Sequence, residues 1–366
     1  MRILFAGGGT GGHINPAISI ADYIRKKEKD FEVLFVGTQH GLETKLVPKA
    51  GYPIQYIDIC GFDRKRLWRN ASVLCKLVKS RQDCRNILRE FKPDAVVCTG
   101  GYVSGPVAMA AAKLHIPAII HEQNVYPGLT VRGAEKYVKY VAVSFSETTK
   151  HMKIPEKCVL TGNPIRAEIL KTNYADARKK LNLSQKPFVL VFGGSLGAAK
   201  INETMIGVLK KMSAEHKVQI LFGTGDRNYN EIAQKLREQK IELDKDIQVV
   251  PYIDNMDVVM SAADLVVARS GAITVSEIAA LGKPSILIPS PNVVRNHQEQ
   301  NAREFEAKGA AAVITEDGLS AESLYAKIME MVSNPAALAK MGNNVKLFAK
   351  TDALEEIYQL VKKMMR

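Results

Sequence analysis

A short apolar strand that runs straight into a glycine-rich turn and then a helix occurs twice in this chain, and that pattern limits the possible folds more than any other feature. In the first copy Ile3-Leu-Phe-Ala6 leads into Gly7-Gly-Gly-Thr-Gly-Gly-His13, followed by Ile14-Asn-Pro16. In the second, Phe188–Phe192 leads into Gly193-Gly-Ser-Leu-Gly197 and a helical stretch through Asn202. Lacking Cβ atoms, such glycines let the backbone take positive φ and bring its N–H groups close to an anion, so each turn reads as a phosphate cradle. Asn15 and Pro16 read as the N-cap and first residue of the helix, which places His13 just before the positive end of the helix dipole. Histidine is the side chain that can titrate near neutral pH, which makes His13 a candidate general base.

Short Val/Ile/Leu-rich segments at 2–6, 32–36, 95–98, 117–121 and 139–143 alternate with amphipathic helical stretches, the rhythm of a parallel sheet. A break falls at Gly162-Asn-Pro-Ile-Arg166, and the rhythm restarts with strands at 188–192, 218–222, 247–250, 265–268 and 285–288. With 366 residues the chain has enough length for two cores. The expected boundaries are 1–163, 164–345 and a C-terminal helix, 346–366, that packs back on the first domain. Two doubly wound α/β domains facing across a cleft would bind ligands at the carboxyl ends of both sheets.

Gly7-x-Gly9-x-x-Gly12 formally matches the dinucleotide fingerprint. The next strand argues against that ligand. An acidic residue should end it to hold a ribose diol, yet 31–38 ends in Gly37-Thr38, and Glu32 sits at the wrong end. A sharper site lies in Asp264-Leu-Val-Val-Ala-Arg-Ser-Gly-Ala-Ile-Thr-Val-Ser-Glu277, where a strand ends at Ala268 and a helix is expected to begin near Thr274. Glu277 in its first turn could accept both hydroxyls of a ribose; alternatively Thr274 and Glu277 form a capping box. The polar run Asn296-His-Gln-Glu-Gln-Asn301 either lines the same cleft or starts a helix. Asp244-Lys-Asp246 precedes a strand and reads as a turn, so no metal site is expected.

The net charge of +13 points to anionic partners, whether nucleotides, pyrophosphates, nucleic acid or an anionic membrane. No helix-turn-helix, zinc or RNA-binding pattern supports nucleic acid. Five cysteines without C-x-x-C pairs suit a reducing cytosol rather than a disulfide framework. Neither a signal peptide nor an apolar run approaching the roughly 20 residues of a membrane span is seen, so membrane contact is expected to be peripheral. The segment 61–89 suits that role. It holds Trp68, Leu67, Leu74, Leu77 and Val78 among Arg64, Lys65, Arg66 and further cations, an interfacial composition, although an amphipathic helix packed on the core would also account for the leucines.

The glycine turn ending in His13, Thr99-Gly-Gly-Tyr-Val-Ser-Gly-Pro106, His121-Glu-Gln-Asn124, Gly162–Arg166, Gly193–Gly197 and Ser270–Glu277 occur in order over essentially the whole chain. Together they resemble glycosyltransferase family 28, specifically the members that convert lipid I to lipid II in peptidoglycan synthesis. The resemblance implies a GT-B fold and metal-free, cofactor-free, inverting transfer from UDP-N-acetylglucosamine. It implies that lipid I, undecaprenyl-pyrophosphoryl-MurNAc-pentapeptide, is the acceptor at the cytoplasmic face of the membrane. By position, Ser195 would meet the diphosphate, Ile253 the uracil, and Ala272, Ile273, Thr274, Val275 and Ser276 would line the donor up to Glu277 on the ribose. Gln298 would touch the sugar, while Thr10, Gly11, Gly12 and Asn124, with Arg166 from the hinge region, would reach donor sugar or acceptor. The family's usual glutamine pair appears here as His297-Gln298. A transferase using another lipid such as diacylglycerol, or a UDP-sugar epimerase, is the alternative.

Overall fold

The structure, a computed structural model, describes residues 1–60, 70–165, 167–194 and 197–366. The chain forms two compact units, Met1–Ile165 with Lys350–Arg366, and Arg166–Ala349.

The first unit is built on seven strands: β1 (Arg2–Ala6), β2 (Glu32–Gly37), β3 (Ile54–Tyr56), β4 (Ala95–Cys98), β5 (Ala118–Glu122), β6 (Tyr140–Val143) and β7 (Cys158–Leu160). Their order is β3-β2-β1-β4-β5-β6-β7, and every pairing is parallel. Helices cover both faces, so the strands read as continuous apolar runs rather than alternating ones. Leu4, Ala6, Val96 and Ile120 belong to one core and Ile3, Phe5, Val97 and Ile119 to the other. The helix Ala353–Met365 completes the second core, placing Ile357, Tyr358, Leu360, Val361 and Met364 against the helix Gly11–Lys27 and its neighbours. Lys27 pairs with Glu355 at 3.0 Å and Lys362 with Glu28 at 3.3 Å along the edge of that contact.

The second unit repeats the plan with β8 (Phe188–Phe192), β9 (Gln219–Gly223), β10 (Ile247–Val250), β11 (Leu265–Ala268), β12 (Ser285–Leu287) and β13 (Ala312–Val313), ordered β10-β9-β8-β11-β12-β13 and again all parallel. In each unit the strand order reverses beside the first strand, between β1 and β4 and between β8 and β11. Loops leaving the carboxyl ends of those strands therefore diverge, which opens a crevice at that point of the sheet. The two glycine turns, the Thr99 loop and the Ser270 loop all leave from these positions.

Two helix starts differ from the sequence expectation. The first helix begins at Gly11, with Thr10 as N-cap, and not at Pro16. Glycines 11 and 12 accept helical dihedrals, and Pro16 is tolerated inside the helix because its missing N–H withdraws a single bond, the one to Gly12. The helix after β11 likewise begins at Ala272 rather than near Thr274. Among the described residues, no helix is long and apolar enough to cross a membrane.

Candidate active site

His13 occupies the third position of the helix Gly11–Lys27, in its first turn. Its Nδ1 lies 3.2 Å from the Gly8 carbonyl oxygen and 3.2 Å from Thr10 Oγ1. A carbonyl can only accept, so the Gly8 contact requires a proton on Nδ1 and leaves Nε2 as the ring's basic nitrogen. The imidazole packs against Gly100, where a Cβ would stand 2.7 Å from His13 Cδ2 and 3.1 Å from Nε2. Gly100 has φ 99° and ψ −168°, a conformation essentially restricted to glycine. From the same loop Thr99 Oγ1 donates to the His13 carbonyl at 2.7 Å. Two loops of the switch point thus hold His13, the Gly8 carbonyl meeting its imidazole and the Thr99-Gly100 loop meeting its ring and its backbone carbonyl. Thr10, Gly11 and Gly12 form the cap and first two residues of this helix, with N–H groups directed beyond its start.

The His121–Asn124 motif plays two parts. His121, Glu122 and Gln123 are buried, while Asn124 is half-buried at the loop. His121 Nε2–H donates to the Gly162 carbonyl at 2.9 Å, and its Nδ1 accepts from the Gln123 amide at 3.0 Å. Burial pushes its pKa down to about 4, so the ring is neutral and structural. Burial also raises Glu122 above the usual carboxylate range, against the opposing pull of its donors. That carboxyl accepts from Asn124 N at 2.9 Å, Asn124 Nδ2 at 3.1 Å and Gly128 N at 2.8 Å, curling the 124–128 loop and orienting Asn124.

In the second unit the turn Ser270-Gly271 feeds the helix Ala272–Leu281. Gly271 is the N-cap and no side chain caps it, so the Thr274–Glu277 capping box does not form. Glu277 falls in the second turn, 6 % exposed, and is not held there by capping. The backbone N–H groups of Ala272, Ile273 and Thr274 lie in the helix's first turn, where they and the dipole favour an anion. Gln298 is the second residue of the helix His297–Ala307. Its backbone carbonyl accepts from Ser270 Oγ at 2.8 Å, its side-chain oxygen accepts from Ser290 N at 3.0 Å, and Asn301 Nδ2 donates to the Ser270 carbonyl at 3.1 Å. The polar run therefore both starts a helix and buttresses the Ser270 turn. Ile253 follows β10 and is buried against Gly223.

Ser195, Arg166, Arg64, Lys65, Arg66, Leu67 and Trp68 lie outside the described residues. Leu74 sits on the helix Asn70–Phe91, its side chain also outside the description. Farther along that helix Cys84, Ile87 and Leu88 join the core, whereas Val78 is 68 % exposed. Asp244 Oδ1 accepts from Asp246 N and Ile247 N, both at 2.9 Å, which makes a turn at the amino end of β10. His216, Asp244 and Asp246 are near enough to share an ion, but the Asp246 carboxylate is already engaged by Lys186 at 2.5 Å and Gln219 at 3.0 Å.

Sequence reasoning missed Glu43. The dinucleotide pattern calls for an acid at the end of β2, where Gly37-Thr38 stand instead. Glu43, five residues beyond Thr38 and wholly buried, accepts from Gly9 N and Thr38 N at 3.0 Å each and from Thr38 Oγ1 at 2.8 Å. A glutamate opening a short helix right after a glycine-ended strand was the available signal.

The model of the glycosyltransferase family 28 N-terminal domain matches residues 3–143, and that of the C-terminal domain matches residues 188–357. The chain belongs to glycosyltransferase family 28. A relative from Thermoanaerobacter sp. (strain X514) is 48 % identical over 363 residues, 99 % of each chain. It is named UDP-N-acetylglucosamine--N-acetylmuramyl-(pentapeptide) pyrophosphoryl-undecaprenol N-acetylglucosamine transferase. Among solved structures, MurG of Acinetobacter baumannii is 28 % identical, with a TM-score of 0.80 over 99 % of both chains. The UDP-GlcNAc 2-epimerase of Neisseria meningitidis, solved with UDP-GlcNAc, shares the fold at 13 % identity, with a TM-score of 0.67 over 99 % of this chain and 100 % of that one. The two-unit, doubly wound architecture is thus the GT-B arrangement of family 28, and this member is a glycosyltransferase.

Proposed function

We propose that the protein transfers N-acetylglucosamine from UDP-N-acetylglucosamine to the C4 hydroxyl of the muramyl sugar of lipid I, yielding lipid II, with inversion and without a metal ion. The observation that carries the mechanism is the seating of His13: a switch-point imidazole with Nδ1 turned to the Gly8 carbonyl and Nε2 as its basic nitrogen. The acceptor oxygen attacks the anomeric carbon from the face opposite UDP, the bond to the diphosphate oxygen breaks, and the hydroxyl proton passes to His13 Nε2. Full-length identity of 48 % to a relative named for this transfer supports the choice of donor and acceptor.

In this reading the second unit holds the nucleotide. Glu277 takes the ribose hydroxyls, Ile253 meets uracil through its backbone, and Gln298 reaches the sugar. Developing charge on UDP is met by N–H groups at the start of the helix Ala272–Leu281, donors that supply what a divalent ion supplies elsewhere, and Ser195 of the Gly193–Gly197 motif is assigned to the diphosphate. The first unit takes the acceptor, with Thr10, Gly11, Gly12, Asn124 and Arg166 near the reacting sugars. The segment 61–89, through Arg64, Lys65, Arg66, Leu67, Trp68 and Leu74, rests on an anionic membrane at its cytoplasmic face.

The test is UDP release from UDP-N-acetylglucosamine with a soluble lipid I analogue, with diacylglycerol and with no acceptor, each in chelator. Release only with the lipid I analogue is expected. Release with diacylglycerol would move the acceptor to another lipid, release without acceptor would indicate epimerase or hydrolytic chemistry, and loss in chelator would overturn the metal-free mechanism.

A further inference from the structure

Glu43 is 0 % exposed and makes no ion pair among the described residues; its two oxygens are satisfied by Gly9 N, Thr38 N and Thr38 Oγ1. A carboxyl buried without a cation is costly to keep, and simple strand–helix packing does not call for one. Three separate chain positions are cleared for it. A Cβ at Gly8 would stand 2.8 Å from Glu43 Oε1, one at Gly37 2.6 Å from Cγ, and one at Gly41 2.0 Å from Oε2.

The peptide group joining Gly8 to Gly9 connects this carboxyl to the imidazole. Its N–H, on Gly9, donates to Glu43 Oε2 at 3.0 Å, and its C=O, on Gly8, faces His13 Nδ1 at 3.2 Å. Hydrogen bonding at one end of a peptide polarises it and strengthens the acceptor at the other end. The carbonyl has a competitor, because Thr10 Oγ1 stands 3.2 Å from the same nitrogen and can either donate or accept. If Thr10 donated, the imidazole proton would move to Nε2 and the ring could no longer take a proton there.

We propose that Glu43 is a positioning residue for the transfer reaction, acting through the Gly8–Gly9 peptide to hold His13 as its Nδ1–H tautomer and keep Nε2 basic. The arrangement is a carboxylate–histidine pair with one peptide group inserted between the partners. It rests on His13 being the base, and the experiments separate the two ideas.

The first measurement is the imidazole 15N spectrum of the wild-type protein, with His13 assigned by loss of its signal in His13→Ala. The Nδ1–H tautomer is expected at neutral pH; a dominant Nε2–H tautomer overturns the proposal without reference to activity or to any variant's folding. In Glu43→Gln the amide that keeps both Thr38 donors turns its NH2 onto the Gly9 N–H, so the His13 signals should shift toward Nε2–H. Adding Thr10→Val removes the competing donor and should restore Nδ1–H, a rescue that a purely structural role for Glu43 would not produce. In turnover, Glu43→Gln should lower kcat by about tenfold or more with the KM for UDP-N-acetylglucosamine within about twofold, and should cost nothing further on a His13→Ala background. A kcat within threefold of wild type, or a full additional loss on His13→Ala, refutes the relay. Retained kcat in His13→Ala itself refutes the base assignment and leaves the tautomer result to stand separately.

Discussion

Gly100→Ala tests the seating of His13 with the smallest possible change. The added methyl would stand 2.7 Å from His13 Cδ2, and ordinary contact begins at 3.4 Å, so the ring must retreat by roughly 0.7 Å. The backbone cannot absorb the difference cheaply, because φ 99° and ψ −168° cost a non-glycine residue about 1–3 kcal/mol and overpacking adds about 1–3 kcal/mol. A displacement approaching 1 Å at a reacting group costs on the order of 10²-fold in rate. The variant should therefore lose about 10²-fold in kcat with the soluble lipid I analogue. Its affinity for UDP, measured by calorimetry, should stay at the wild-type value because the nucleotide is assigned to the other unit. A kcat within threefold of wild type in a variant shown to be folded would mean that the imidazole's position does not limit transfer.

Glu277→Ala should raise the KM for UDP-N-acetylglucosamine by about tenfold with little change in kcat, since it removes a ribose contact made equally in ground and transition states; a kcat-only effect in steady-state kinetics would contradict the assignment. His121 predicts an acid limb in stability: its folded pKa of about 4 lies below the unfolded 6.5, so the unfolded chain binds the extra proton and stability is lost as pH falls from 6.5 toward 4. The loss amounts to about 3 kcal/mol, and urea melts at pH 4.5 and 7.5 should show a smaller difference for His121→Gln than for wild type. Replacing Trp68, Arg64, Lys65 and Arg66 together should release the protein from anionic vesicles in sedimentation while leaving turnover of the soluble acceptor analogue intact. Unchanged sedimentation would remove that segment from the membrane contact.

The strands that anchor the fold were readable because parallel strands covered on both faces are unbroken apolar runs, as in Phe188–Phe192 and Ala95–Cys98. β3, β7 and β13 were not, since two or three residues at or near a sheet edge carry no periodic signal. Helix starts were misplaced in both units. Asn15-Pro16 reads as a cap and first residue and Ser270–Ile273 as a small-residue turn, whereas the helices begin earlier, at Gly11 and Ala272. Motifs showed which stretches matter but not how labour divides within them: three of the four residues of His121–Asn124 brace loops, and only Asn124 is half-exposed. Glu43 stayed hidden because one of its two partners, Gly9, is 34 residues away and only the fold brings it beside the carboxyl that Thr38 also meets.

The helix Ala353–Met365 gives this protein an order of events during synthesis. Residues 1–165 leave the ribosome first, yet their core lacks Ile357, Tyr358, Leu360, Val361 and Met364 until the whole of Arg166–Ala349 has been made. Until then the groove beside the helix that carries His13 is uncovered apolar surface, so the nascent first unit should hold chaperones longer than the second, and a fragment ending at residue 165 is a poor candidate for expression alone.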